Sequence, residues 1–193
     1  MLKPVLQIVI GSTRPGRRGP SIAAWMAAVA RAHLGFTVEV LDLKAVGLPD
    51  FDEPNHPGLR QYVHRHTVSW SDTIARGDAF VLVVPEYNHG YNAATKNAID
   101  FLHHEWEDKP VGFVSYGGVA AGTRAAQGLR LVFQAVKAVP VFESVSIPAV
   151  NTLFDADGTF AAPAGLEVAA RAMLDELLRR ESALAQLRNR PSS

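Results

Sequence analysis

The sequence contains no cysteine. That excludes disulfides, thiolate zinc sites, iron–sulfur ligation and any cysteine nucleophile. It also lacks an excess of either charge, with 19 basic and 19 acidic residues, so no overall field draws it toward nucleic acid or an anionic membrane. No apolar run approaches the roughly 20 residues needed to span a bilayer. Met1-Leu2-Lys3-Pro4 leads straight into a strand-like segment with no signal-peptide pattern. A cytoplasmic protein is therefore the default expectation. One absence is local: no acidic residue precedes Glu39, while Arg14, Arg17 and Arg18 crowd the same stretch. That imbalance points to an anion site near the N-terminus.

What is present is a regular alternation of short β-rich runs with longer helical ones. The 193 residues suit a single domain, predicted over 1–193 with a frayed tail at 189–193. Val5 to Ile10 reads as a buried strand and Ser21 to Leu34 as a helix with Pro20 in its first turn. Thr37 to Leu43 alternates like a strand nearer a sheet edge. Leu48 to Gly58 carries three prolines and reads as a loop, followed by a helix over Leu59 to Arg76. Ala79 to Val84 is a continuous apolar run that fits a central parallel strand. A helix over Ala93 to Trp106, a strand over Val111 to Ser115 and a helix over Thr123 to Val136 follow. A fifth strand over Val141 to Ile147 and a long helix over Pro163 to Leu187 complete the pattern.

Strands alternating with helices imply an α/β sandwich of three layers around a parallel sheet. With five strands the flavodoxin-like order 2-1-3-4-5 is the natural candidate. It demands a ligand at the carboxyl ends of strands 1 and 3, where the winding reverses. The two most unusual loops, Gly11 to Gly19 and Pro85 to Asn92, follow those strands. The glycine-rich stretch Tyr116 to Gly122 follows strand 4 on the same rim.

Residues 11 to 22 read GSTRPGRRGPSI between a strand and a helix. Ser12, Thr13 and Ser21 offer hydroxyls, Arg14 or Arg17 offers charge-assisted bonds, and the helix N-terminus adds partial positive charge. This suits a terminal phosphate. A Walker A site would need Gly-Lys-Ser/Thr, which is absent. A dinucleotide fingerprint is only partly matched, by Gly16 and Gly19, although Asp42 mimics the ribose-binding acid.

Together GSTRPGRRGPSI at 11 to 22, PEYNHGYNAATKNAIDF at 85 to 101 and SYGGVAAG at 115 to 122 resemble the NAD(P)H-dependent FMN reductases. That family includes quinone, azo-dye and chromate reductases, and the resemblance spans residues 5 to 150. It implies FMN as cofactor, NADPH or NADH as co-substrate, a small-molecule electron acceptor, and a homodimer or homotetramer. By resemblance, Ser12, Arg14, Pro20, Ser21 and Ile22 surround the FMN phosphate, with Arg17 and Arg18 weaker assignments. Pro85, Glu86, Tyr87 and Asn88, with His89, line the isoalloxazine. Ser115, Tyr116, Gly117 and Gly118 contact its pyrimidine side or the ribityl chain. Asn92 stands where many relatives carry proline, a change expected to loosen the helix start or alter the entrance.

The remaining candidates have plainer readings. His64 and His66, two apart on a predicted helix, splay rather than share a face, so with His56 they read as solvated histidines and no metal site is expected. His103 and His104 read as a helix end or a subunit contact. Lys96 and Asp100 form an i, i+4 surface pair, and Glu86 orients backbone or caps a helix. The charged C-terminal helix reads as a solvated face. No protein nucleophile or dedicated acid is required, because a flavin carries the chemistry. Two non-reductase readings compete, a one-electron carrier and a flavin-binding sensor. Carriers of this fold tend to be strongly acidic, which the zero net charge and the arginine-rich loop disfavour.

Overall fold

The computed structural model describes residues 3–188, and the expected fraying of 189–193 lies outside them. Strand β1 (Val5–Ile10), helix α1 (Gly19–His33), strand β2 (Thr37–Asp42) and the short helix α2 (Leu43–Val46) come first. Helix α3 (Arg65–Ala75), strand β3 (Ala79–Tyr87), strand β4 (Gly90–Tyr91) and helix α4 (Ala93–Asp100) form the middle. Strand β5 (Pro110–Tyr116), helix α5 (Thr123–Ala135), strand β6 (Val139–Ile147) and helix α6 (Ala164–Arg188) complete the chain. No helix among the described residues is long and apolar enough to cross a membrane.

The five parallel strands lie in the order β2-β1-β3-β5-β6, with β4 hairpinned onto β3. Counting the parallel strands alone, this is the expected 2-1-3-4-5. Side-chain alternation along β3 builds both cores. Ala79, Val81 and Val83 face α1 and α6 with Met26, Met173 and Leu177. Phe80, Leu82 and Val84 face α3, α4 and α5 with Trp70, Ile99 and Phe133. Burial on both faces is why the central strand reads as an unbroken apolar run.

Several boundaries differ from expectation, each for a local reason. The strand expected to reach Leu43 stops at Asp42, whose carboxylate accepts the Lys44 N–H and starts α2. The helix expected from Leu59 starts at Arg65, because Glu53 accepts the N–H groups of Val63 and His64 and holds that stretch extended. The helix expected to run to Trp106 ends at Asp100, and Glu105 then accepts the His103 N–H within a series of turns. The Pro85–Asn92 loop is largely a hairpin. It turns through Asn88 and His89, both left-handed at φ 48° and 68°, the conformation a two-residue hairpin favours.

The histidine expectation is corrected as well. His64 caps α3 from extended backbone rather than lying on it, so its ring stacks on that of His66 with centroids 5.1 Å apart. His66 Nε2 lies 2.9 Å from Asp52. Lys96 and Asp100 do pair, at 2.5 Å.

Candidate functional site

Strand register assembles the carboxyl edge. Ile10 lies beside Val83, Pro85 beside Tyr116, and Tyr116 beside Ile147. The segments leaving β1, β3, β5 and β6 therefore emerge side by side. Gly117 and Gly118 are fastened to the last of these through Val150 N–H to the Gly117 carbonyl and Ala149 N–H to the Gly118 carbonyl. Between the segments lies a cleft of about 320 Å3, lined by Arg14, Arg18, Pro85–Tyr87, Tyr116–Gly118 and Ala149–Thr152.

Positive charge gathers at one end. Arg14 donates to the Tyr87 hydroxyl at 3.1 Å and lies over its ring, and Arg18 stacks on Phe154 at 4.3 Å. The N-terminus of α1 has Arg18 at its N-cap, no side chain capping it and no acid in its first turn. Its free N–H groups and the helix dipole are thus available to an anion.

Two buried hydroxyls, Ser12 Oγ and Tyr116 Oη, have no hydrogen-bond partner among the described residues. Both lie against Gly19, where a Cβ would approach them at 2.4 and 3.2 Å. Buried hydroxyls without partners are costly in a folded protein, and together with the uncapped helix they fit a polar, phosphate-bearing group. Gly118 has open space where its Cβ would stand, which leaves room for a flat ring against the backbone. Burial pushes the Tyr116 phenol up to about 12, so it stays a hydrogen-bond donor at neutral pH.

The Glu86 carboxylate accepts from both the backbone N–H and the guanidinium of Arg124, at 3.1 and 2.7 Å. Burial raises its pKa, but these bonds at the start of α5 outweigh the penalty and hold it below the usual carboxylate range. The acid fixes the hairpin to α5 as an ionised cap.

The other expected residues stand outside the cleft lining. Arg17 donates two parallel hydrogen bonds to the Asp42 carboxylate, each at 2.5 Å, and a third to the Ser12 carbonyl at 2.7 Å. This also occupies the acid that mimicked a ribose ligand. Ser21 donates to the Gly158 carbonyl, and the Ile22 side chain is fully buried in the core. Pro20 lies in the first turn of α1. Ser115 donates to the Ala121 carbonyl and braces the glycine-rich loop from below. Asn88 and His89 form the exposed hairpin tip.

Asn92 does not loosen the start of α4. Its amide donates to the Gly11 carbonyl at 2.7 Å and accepts from Thr95, which ties the first loop to the helix. Arg18, a weak assignment from the sequence, lines the cleft, and the Ala149–Thr152 turn was not anticipated. The rule that placed the other loops, function at the carboxyl ends of the strands, extends to the segment after β6 and finds that turn.

The sequence matches the family described as NADPH-dependent FMN reductase over residues 5–152. Among curated relatives, an NAD(P)H-dependent FMN reductase of Schizosaccharomyces pombe is 37% identical over 150 residues, covering 76% of this chain and 75% of the relative. One from Nectria is 32% identical over 160 residues, covering 78% and 79%. Among solved structures, the flavoenzyme NAD(P)H:acceptor oxidoreductase FerB of Paracoccus denitrificans superposes with a TM-score of 0.68 at 19% identity, covering 93% of this chain and 98% of that one. At that identity the likeness bears on the flavodoxin-like fold, whereas the sequence matches bear on the family. The chain belongs to the NADPH-dependent FMN reductase family and is an oxidoreductase that uses FMN and NAD(P)H.

Proposed function

We propose that the chain, acting as one FMN-binding domain in a cytoplasmic homodimer or homotetramer, moves reducing equivalents from NADPH or NADH to a small diffusible acceptor such as free flavin or a quinone. The observation that carries this reading is the set of two unpartnered buried hydroxyls beside an uncapped helix N-terminus, at the point where the winding of the sheet reverses. When bound, FMN would supply the hydride-accepting and electron-donating chemistry.

The protein's own part is binding and orientation. Arg14, Arg18 and the α1 N–H groups hold the phosphate, with Pro20 setting the first turn. Ser12 and Tyr116 donate or accept hydrogen bonds along the polar chain. Pro85, Tyr87, Gly117 and Gly118 form the walls against the ring, with Asn88 and His89 at the rim. Arg17, Ser21, Ile22 and Ser115 act one layer back, each fixing a segment that touches the cofactor, and Glu86 in the cleft lining ties its wall to Arg124. Glu86 is ionised but engaged and Tyr116 is neutral, which leaves neither poised as a general acid or base at neutral pH. That suits chemistry carried by the cofactor rather than by a side chain.

The test is the visible spectrum of FMN-loaded protein before and after anaerobic NADPH or NADH. Bleaching of bound flavin by either nucleotide is the expected result. Bound flavin that stays oxidised with both would replace this reading with a carrier or sensor.

A further inference from the structure

His103, His104 and Glu107 lie in the connection between α4 and β5, at the amino edge of the sheet and away from the cleft. One possible ligand atom from each lies within 4.8 Å of the others. The hydrogen bonds of His104 single this cluster out. Its Nε2 lies 2.8 Å from the Gly58 carbonyl oxygen, which can only accept, so Nε2 must carry the proton. A neutral ring then has a lone pair on Nδ1. That lone pair faces the Glu107 carboxylate, with Oε2 3.1 Å away. Two acceptors cannot share that gap unless a cation lies between them or the ring takes a second proton.

A second proton would reconcile His104 with Glu107 but leave His103 unexplained. His103 Nδ1 is buried and has no hydrogen-bond partner among the described residues. A cation held between ligand atoms that lie within 4.8 Å of one another would engage all three residues. We propose that His103, His104 and Glu107 form a site for a divalent transition metal of the zinc type.

Two imidazoles and one carboxylate suit a borderline cation, whereas calcium and magnesium prefer all-oxygen shells. Ligand atoms about 2.0–2.1 Å from a tetrahedral ion lie about 3.3 Å apart. The His104–Glu107 pair is close to that spacing at 3.1 Å, and a ligand atom of His103 lies within 4.8 Å of both. The Gly58 carbonyl takes the place of the outer partner that fixes the tautomer of a ligating histidine. About a third of the His104 side chain and a quarter of the Glu107 side chain are exposed, which gives an ion a route from solvent. Lys137 holds the other Glu107 oxygen at 2.6 Å, so it orients the carboxylate and competes with the cation. The ion would pin the α4–β5 connection onto the turn at Pro57–Leu59.

The experiment uses untagged, chelator-treated full-length protein, titrated with Zn2+ by calorimetry and with Co2+ by visible absorption. One saturable equivalent is expected. His103→Ala and the near-isosteric Glu107→Gln should each weaken it by at least about tenfold, while Lys137→Met should tighten it. His66→Ala, which removes the stacked histidine pair, should leave it unchanged. Saturating Zn2+ should raise the melting temperature of the wild type but not of Glu107→Gln. Absence of saturable binding, equal binding by wild type and Glu107→Gln, or loss of binding in His66→Ala would overturn the site. Should His103→Ala fail to fold, Glu107→Gln decides alone.

Discussion

The two edges of the sheet treat polar groups in opposite ways. At the amino edge the cleft is the larger, about 770 Å3, and it is lined by charged residues including Arg60, Glu105, Lys109 and Arg188. Nearly all of its polar groups are engaged. Glu105 is buried and accepts from Tyr62, Ser71 and the His103 N–H. Lys109 donates to the Ile74 and Ala75 carbonyls at the end of α3. Arg188 joins Asp78, Glu181 and the Asp108 carbonyl. At the carboxyl edge the cleft is less than half that size, yet two hydroxyls and a helix end are left without partners. Volume and charge mark the first edge, where His103 Nδ1 is the exception, and two unmet hydroxyls beside an uncapped helix mark the second. The second is the better sign of a ligand, because its unmet hydroxyls converge with a free helix N-terminus beside one cleft.

The largest expected contrast comes from Glu105→Leu. It strands three half-buried donors beside a buried acid and should cost about 3 kcal/mol of stability by urea unfolding, with FMN affinity unchanged. A matching loss of FMN affinity would break the separation of the edges. Arg14→Ala is the mirror experiment: it should weaken FMN binding by roughly 1.5–3 kcal/mol and leave the melting temperature of the flavin-free protein alone. Unaltered affinity in a fluorescence titration would remove Arg14 from the site.

Tyr116→Phe sharpens the contrast further, since it deletes a hydroxyl without a partner. Flavin-free protein should be as stable or slightly more so, while FMN affinity drops by about 1 kcal/mol. The smallest effect concerns pH. Burial pushes the Lys109 ammonium down from 10.5 to about 8. Between those values the unfolded chain binds the extra proton, so this residue makes stability rise with pH from about 8 toward 10.5. Lys109→Met should flatten that part of the unfolding profile. An unchanged slope would show that the lysine titrates normally.

Much of the fold is legible in the sequence because burial leaves a simple signature. Ala79–Val84, enclosed on both faces, can hardly be read as anything but a central strand. Helix ends are less legible because distant side chains set them, as Glu53 does for α3. In the site, three arginines within five residues look alike on paper. Pairing of β1 with β2 brings Asp42 beside Ile10 and lets it capture Arg17, which leaves Arg14 and Arg18 beside the cleft. Ser21 and Ser115 carry the right chemistry, but their partners are backbone carbonyls that only the tertiary fold supplies.

The hairpin at 85–91 has a consequence for how the cofactor comes and goes. Glu86 fastens one arm to Arg124, and Tyr91 on the other arm packs where α5 has only Gly128, whose missing Cβ would come within 2.8 Å of the ring. A wall held at both arms has little conformational freedom left to lose when a ring settles against it. Flavin exchange should therefore behave as docking to a finished surface, with residence time set by the contacts broken on departure. The amide protons of Tyr87 and Gly90 would then be protected from solvent exchange to similar degrees with and without FMN.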